Sequence, residues 1–169
     1  MITTVTLNPC NDKTVVIPQF HYGGMNRVSR QRFDISGKGF NVARCVARLG
    51  EEAVATGILY DDNGSATQLS LEGENVQVDC VWLPGSIRTN LKILDETEVT
   101  ITEINESGPA VSSEDLAEAF RKAEEWAQSS DYILLTGSLP PGAPTESYGK
   151  LTARLRGHCP VILDAEGES

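Results

Sequence analysis

The chain of 169 residues has 14 Lys/Arg against 24 Asp/Glu, a formal charge of −10, with 40% hydrophobic and 22% charged residues. This is the composition of one soluble folded domain, and no apolar run approaches the roughly 20 residues of a membrane span. The negative balance excludes the ordinary nucleic-acid binder, because duplex binding needs many phosphate contacts from Lys and Arg.

Residues 2–7 (ITTVTL) form a short β-branched run of the buried-strand type, ended by the turn signal Asn8-Pro9. Asp12 follows. A carboxylate just past the end of a buried strand sits where open α/β sheets bind ligands, so Asp12 reads either as an acceptor for substrate hydroxyls or as an Asx-turn organising its loop. Residues 14–17 predict a second short strand and 18–24 a loop. Residues 26–35 are β-rich and partly alternating, with Val28, Phe33 and Ile35 among Arg27, Arg30 and Arg32. The stretch Ser36-Gly37-Lys38-Gly39-Phe40-Asn41-Val42-Ala43-Arg44 then turns into a helix. Phe40, Ala43, Val46 and Ala47 recur at helical spacing, Arg44 and Arg48 fall on the other side, and Gly50 stands where a helix-ending glycine belongs. A glycine turn at a helix start presents unpaired N–H groups and the positive end of the dipole, for which phosphate or sugar oxygens are natural occupants.

Residues 52–59 predict another buried strand, 61–64 a turn and 65–72 a short helix. Three strand-like runs follow at 76–83, 87–94 and 99–105, with no room for crossover helices, so the pattern predicts hairpins and some antiparallel pairing. Ser112-Ser113-Glu114-Asp115 opens a helix with a capping-box-like S-x-x-D, and Leu116, Ala119, Phe120, Ala123 and Ala127 form its apolar stripe. Residues 132–135 predict a strand, 137–142 (GSLPPG) a rigid turn, 144–155 a helix closed by Gly157, and 161–164 a last strand. Residues 164–169 read as a strand-end loop where a crossover helix should begin. The βαβ alternation predicts a mainly parallel sheet with helices on both faces. A terminal strand without its returning helix leaves an open edge, which reads as an incomplete domain.

The charge is unevenly spread: residues 1–50 hold seven Lys/Arg and two Asp, the remainder seven Lys/Arg and twenty-two Asp/Glu. A local basic cluster on an acidic chain suits either a small anionic ligand in one pocket or a solvated strand face. Cys10, Cys45, Cys80 and Cys159 are widely spaced, with only His21 and His158 to join them, and read as free thiols. The start Met1-Ile2-Thr3-Thr4 is unlike a secretion signal, which points to the cytoplasm. As an isolated motif the glycine stretch is neither a Walker loop, since Lys38 is followed by Gly39, nor a dinucleotide fingerprint, since Asn41-Val42 follows Gly39.

Several pieces occur in one order along all 169 residues: Thr4-Val5-Thr6-Leu7-Asn8-Pro9 with Asp12 and Lys13, Asn26-Arg27-Val28, Gly37-Lys38-Gly39-x-Asn41-Val42-Ala43-Arg44, Leu49-Gly50, Arg88-Thr89-Asn90, Thr102-Glu103-Ile104-Asn105 with Gly108-Pro109, and Gly137-Ser138-Leu139-Pro140. Together they resemble the PfkB sugar kinases of the ribokinase-like fold, and within them the 1-phosphofructokinase and tagatose-6-phosphate kinase branch. The resemblance implies an α/β three-layer sandwich with a mainly parallel sheet, residues 1–169 being the N-terminal part of one kinase domain. It implies lid strands at about 13–35 and 87–105, a small β layer that covers the sugar and often pairs with a second subunit, hence a homodimer through the lid.

The same resemblance implies site residues. Asp12 would accept from sugar hydroxyls, the backbone at Gly37 and Gly39 and the amide of Asn41 would bond other hydroxyls, and Arg88 with Ser138 would hold the sugar phosphate. Arg27, Lys38 and Asn90 would assist. The implied reaction moves the γ-phosphoryl of ATP, with Mg2+, to a ketohexose phosphate, fructose 1-phosphate to fructose 1,6-bisphosphate, while the lid keeps water out. Ser36, Cys10, Asn11 and Thr136 depart from the family pattern. No KPNxxE-like segment and no GAGD occur in the 169 residues. The chain alone is therefore expected to supply no catalytic base and no turnover, Asp12, Asp34 and Asp164 reading as substrate-positioning or structural. The alternative is a non-catalytic sugar-phosphate-binding or dimerising fragment.

Overall fold

The computed structural model describes residues 1–165. In chain order the elements are β1 (Ile2–Thr6), β2 (Cys10–Ile17), β3 (Arg30–Ile35), α1 (Lys38–Arg48), β4 (Ala53–Tyr60), α2 (Gly64–Glu72), β5 (Val76–Leu83), β6 (Arg88–Asp95), β7 (Thr100–Asn105), α3 (Ser113–Ala127), β8 (Tyr132–Thr136), α4 (Ser147–Leu155) and β9 (Val161–Asp164). They build two sheets. The larger has the order β5-β4-β1-β8-β9, every pair parallel. The smaller, termed the lid after the expectation from the sequence, has the order β3-β2-β6-β7; β2 and β6 run parallel, and the outer pairs are antiparallel.

The apolar runs explain the larger sheet. All eight residues of β4 are buried, as are the last four of β1 and of β8, which is how strands covered on both faces must read. Along β5 successive side chains turn to opposite faces. Asp79 meets Lys122 and Trp126 of α3, whereas Trp82 lies against Gly64 of α2. Helices therefore cover both faces, giving the three layers. One core runs through them, from Val5, Phe40 and Ile58 to Phe120, Leu135 and Leu151. The lid has a separate, smaller core of Val15, Ile17 and Ile93, backed by Phe20 and Leu91.

Local chemistry places the helix starts. Gly37 has φ +126°, a region that an L side chain seldom occupies, and a Cβ on Gly39 would collide with Thr6 Oγ1, so the two glycines let α1 lie directly on β1. Gly50, at φ +89°, ends α1 with its N–H on Ala47 O. Ser112 and Asp115 form the expected capping box on α3, at 3.0 and 3.1 Å. No described helix is long and apolar enough to cross a membrane. The four cysteines are free, Cys45 exposed and the others buried.

Several sequence expectations are corrected. The second strand begins at Cys10, not residue 14, because residues 10–13 pair with β6. Asp12 therefore lies inside a strand and forms neither a strand-end loop nor an Asx-turn. Residues 26–29 are loop, and β3 starts at Arg30. Of the three consecutive runs only β6 and β7 form a hairpin; β5 joins the larger sheet parallel to β4, and residues 84–87 carry the chain across to the lid. Arg44, expected on the outer side of α1, is 7% exposed. Residues 144–146 form a turn whose Pro144 carbonyl accepts from Ser147 N and Oγ, so α4 starts three residues late. Among the described residues β9 pairs only with β8. The crossover helix expected after residue 164 falls largely outside the described residues.

Candidate functional site

A cleft of about 700 Å3 opens between the lid and the C-terminal ends of β1 and β8, where open α/β sheets bind ligands. The lid presents one face to it. Cys10 and Asp12 of β2, Arg88, Asn90 and Lys92 of β6, and Glu103 and Asn105 of β7 all line the cleft, each two residues from the next on its strand. Register aligns Asp34, Asp12, Asn90 and Asn105 across the four strands. Opposite them stand Thr6 and Asn8 at the end of β1, Ser36, Lys38 and Asn41 at the start of α1, and Ser138 and Leu139 after β8, with Thr145 and Tyr148 at one end.

Within this cleft Arg88 and Ser138, 50 residues apart, are joined by a hydrogen bond from Nη2 to Oγ of 3.1 Å. Arg88 Nη1 donates to Glu106 O at 2.7 Å and to Asn90 Oδ1 at 3.3 Å, which holds the fork in place. Ser138 Oγ also accepts from Asn8 Nδ2 at 3.2 Å. With both lone pairs engaged, the hydroxyl proton is left to give to an anion. The two N–H groups of the buried Asn8 amide are shared among Ser138 Oγ, Ser107 O and Leu139 O, tying the loops after β7 and β8 to β1. A guanidinium fork and a donor hydroxyl side by side are suited to phosphate oxygens.

At the lid side Asp12 lies 3.5 Å from Lys92 Nζ. As a carboxylate it can only accept, which matches sugar hydroxyls as donors. Cys10 sits beside it; burial pushes its thiol up and the Asp12 charge pushes it further, so it remains a thiol and no nucleophile. Asp34 is engaged with Arg32 at 2.8 Å. Asp164 accepts from Thr136 Oγ1 at 2.8 Å, and Tyr148 donates to Thr136 O at 3.1 Å. Among the described residues no group of three His, Cys, Asp or Glu could hold a metal ion.

Six of the nine residues expected from the sequence thus line one cleft: Asp12, Lys38, Asn41, Arg88, Asn90 and Ser138. Gly37 and Gly39 are buried beneath it and shape the turn instead of forming its wall. Arg27 stays on the exposed β2–β3 loop and does not line the cleft. Sequence reasoning missed Asn8, Lys92, Glu103 and Asn105 as site residues. Asn8 and the pair Glu103 and Asn105 lay inside recognised motifs, and period-two spacing on from Asn90 pointed to Lys92.

The chain is 39% identical to a 1-phosphofructokinase of Rhodobacter capsulatus over 98% of its own length and 53% of that protein's. It is 32% identical to a tagatose-6-phosphate kinase of Staphylococcus epidermidis over 100% of itself and 54% of the relative. The phosphofructokinase-2 of Escherichia coli, solved in complex with fructose-6-phosphate, superposes with a TM-score of 0.87 at 28% identity, covering 99% of this chain and 55% of that one. The chain therefore spans about half the length of the relatives it matches. The pfkB family carbohydrate kinase pattern extends over residues 4–169. With the fold, the cleft and nearly every residue covered by that pattern, the chain belongs to the pfkB family of carbohydrate kinases.

Proposed function

We propose that this chain is the sugar-phosphate-binding half of an ATP-dependent ketohexose-phosphate kinase, whose full-length form converts fructose 1-phosphate to fructose 1,6-bisphosphate. The observation that carries this reading is the pairing of Arg88 with Ser138 in a cleft whose lid wall also holds Asp12 and whose opposite wall holds Asn41. Arg88 and Ser138 take the phosphate, Asp12 accepts from ring hydroxyls, Asn41 bonds another oxygen, and Lys38 and Asn90 flank them. Arg27 is left out, since it does not line the cleft. PfkB kinases use ATP with a divalent metal. Among the described residues no group of three His, Cys, Asp or Glu could hold a metal ion on its own. What these residues do is bind and orient the acceptor while the lid limits access of water. The GAGD segment is absent from the 169 residues, so the chain alone gives no turnover.

A second reading, a non-catalytic binding or dimerising unit, is favoured by the exposed apolar residues on the outer lid strands, Phe33 of β3 and Ile101 and Ile104 of β7, each more than half exposed. The test is direct. The full-length parent is expected to consume ATP when given fructose 1-phosphate, and no consumption with any ketohexose phosphate would overturn the kinase reading. Thermal stabilisation of the 169-residue chain by fructose 1-phosphate, together with a dimer in sedimentation, would support the second.

A further inference from the structure

We infer that Arg44 is the positioning residue for Asn41: it fixes the carboxamide so that the amino group, and not the oxygen, faces the ligand. This role rests on the proposed contact between Asn41 and the sugar phosphate. The two residues stand at i and i+3 on α1 and so share a face. Arg44 Nη1 donates to Asn41 Oδ1 at 3.0 Å and to Ile35 O at 3.1 Å, and Nη2 donates to Ser70 Oγ of α2 at 3.1 Å. Its Nε lies 3.0 Å from Glu74 Oε1, just beyond α2.

A guanidinium has donors and no acceptor, so the carboxamide atom that meets it must be the oxygen. The amino group is thereby turned the other way, with one N–H on Ser36 Oγ at 3.2 Å. The other N–H is left for the cleft, which Asn41 lines. Asn41 is itself exposed, and an exposed carboxamide without a fixed neighbour has two nearly equivalent orientations. Arg44, at 7% exposure, is held by groups from three separate segments and does not turn. Glu74, which it shares with Arg48, offsets its charge and makes a buried cation tolerable there. Ile35 is the last residue of β3, so the same guanidinium also sets where the lid strand leaves and α1 begins. The ligand atom opposite Asn41 is consequently an acceptor.

The test is a double-mutant cycle on the full-length parent, with Arg44→Lys, Asn41→Ala and both together. The dissociation constant for fructose 1-phosphate is measured by calorimetry, and the Asn41 side-chain NH2 pair is followed by NMR after 15N-Asn labelling. Lysine keeps a charge near Glu74 but cannot reproduce the fork. Arg44→Lys is expected to shift or broaden the Asn41 pair and to weaken binding about tenfold. In the Asn41→Ala background it should add no more than about twofold. Should Arg44→Lys fail to unfold cooperatively, Glu74→Gln loosens the same guanidinium from a residue that does not line the cleft. Its expected loss is about threefold, again absent without Asn41. Additive losses, or an unchanged Asn41 pair, would overturn the positioning role. A displaced Asn41 pair with unaltered binding in both single variants keeps that role and removes Asn41 from the ligand contact. No binding by the unmodified parent removes the functional reading, while the NMR readout still decides the role of Arg44.

Discussion

The two sheets share one chain but differ in what holds them. In the larger sheet every residue of β4 is buried, and helices cover both faces; in the lid every residue of β7 is exposed, and the sheet's own core is three side chains. The larger sheet is held by burial of apolar surface. The lid relies on its ladder, a small apolar cluster and polar ties such as Asp95, which accepts from the backbone N–H groups of Phe20, Thr97 and Glu98. The sheet rich in burial supplies the frame, and the one poor in it supplies four of the five charged residues described at the cleft, Asp12, Arg88, Lys92 and Glu103.

The widest gap should appear on truncation. Leu135→Ala, at a side chain with no exposure, is expected to cost about 2–5 kcal/mol in denaturant unfolding, whereas Ile104→Ala in the lid should stay within about 0.5 kcal/mol. Equal losses would mean that the lid is as deeply structural as the frame. The next effect should reverse the ranking. Arg88→Met in the full-length parent is expected to weaken sugar-phosphate binding by about 1.5–3 kcal/mol, read by calorimetry, with a much smaller shift of the unfolding midpoint. Gly39→Ala tests the seam where α1 lies on β1. The added methyl meets Thr6 Oγ1 and should cost about 1–3 kcal/mol of stability, seen as a lower unfolding midpoint.

The smallest difference should be in acid. Backbone donors, that of Phe20 first, hold Asp95 below its usual value. Burial works to raise Asp79, but hydrogen bonds from Lys122 and Trp126 outweigh it, so Asp79 is lowered too. A depressed carboxylate contributes stability that is full above its unfolded pKa, about 3.9, and is lost as pH falls through the lower folded value. Asp95→Asn is expected to flatten that acid loss for lid amides in hydrogen exchange, and Asp79→Asn to flatten it for α3. If either substitution altered both regions equally, the two sheets would be one cooperative unit at low pH.

Much of the frame is legible in the sequence. Apolar runs at 2–7, 52–59 and 132–135 became β1, β4 and β8 because a strand covered on both faces needs no partner to reveal it. The Ser112–Asp115 cap, the Gly37–Gly39 turn and the Gly50 helix end carry their own backbone chemistry. The lid was harder to read. Cys10–Lys13 looks like a loop and is strand because β6 lies beside it; residues 76–83 look like the first arm of a hairpin and instead pair with β4. In the site, Arg88 and Ser138 are implied by the family resemblance and not by local pattern. Lys92 was missed because no recognised motif contains it, although its two-residue spacing from Asn90 puts both on one face of the strand.

What the sequence by itself determined is therefore local or periodic: buried strands, helix caps, the glycine turn, and the family to which the ordered motifs belong. What only the tertiary structure decided is non-local: which strand joins which sheet, that Asp12 lies within a strand, that Arg27 stays outside the cleft, and that Arg44 points inward to hold Asn41. The physical reason is the range of the interactions. A cap or an apolar run is written within a few consecutive residues, while a ladder partner, a salt bridge to Glu74 or a hydrogen bond across 50 residues exists only once the chain has closed its loops.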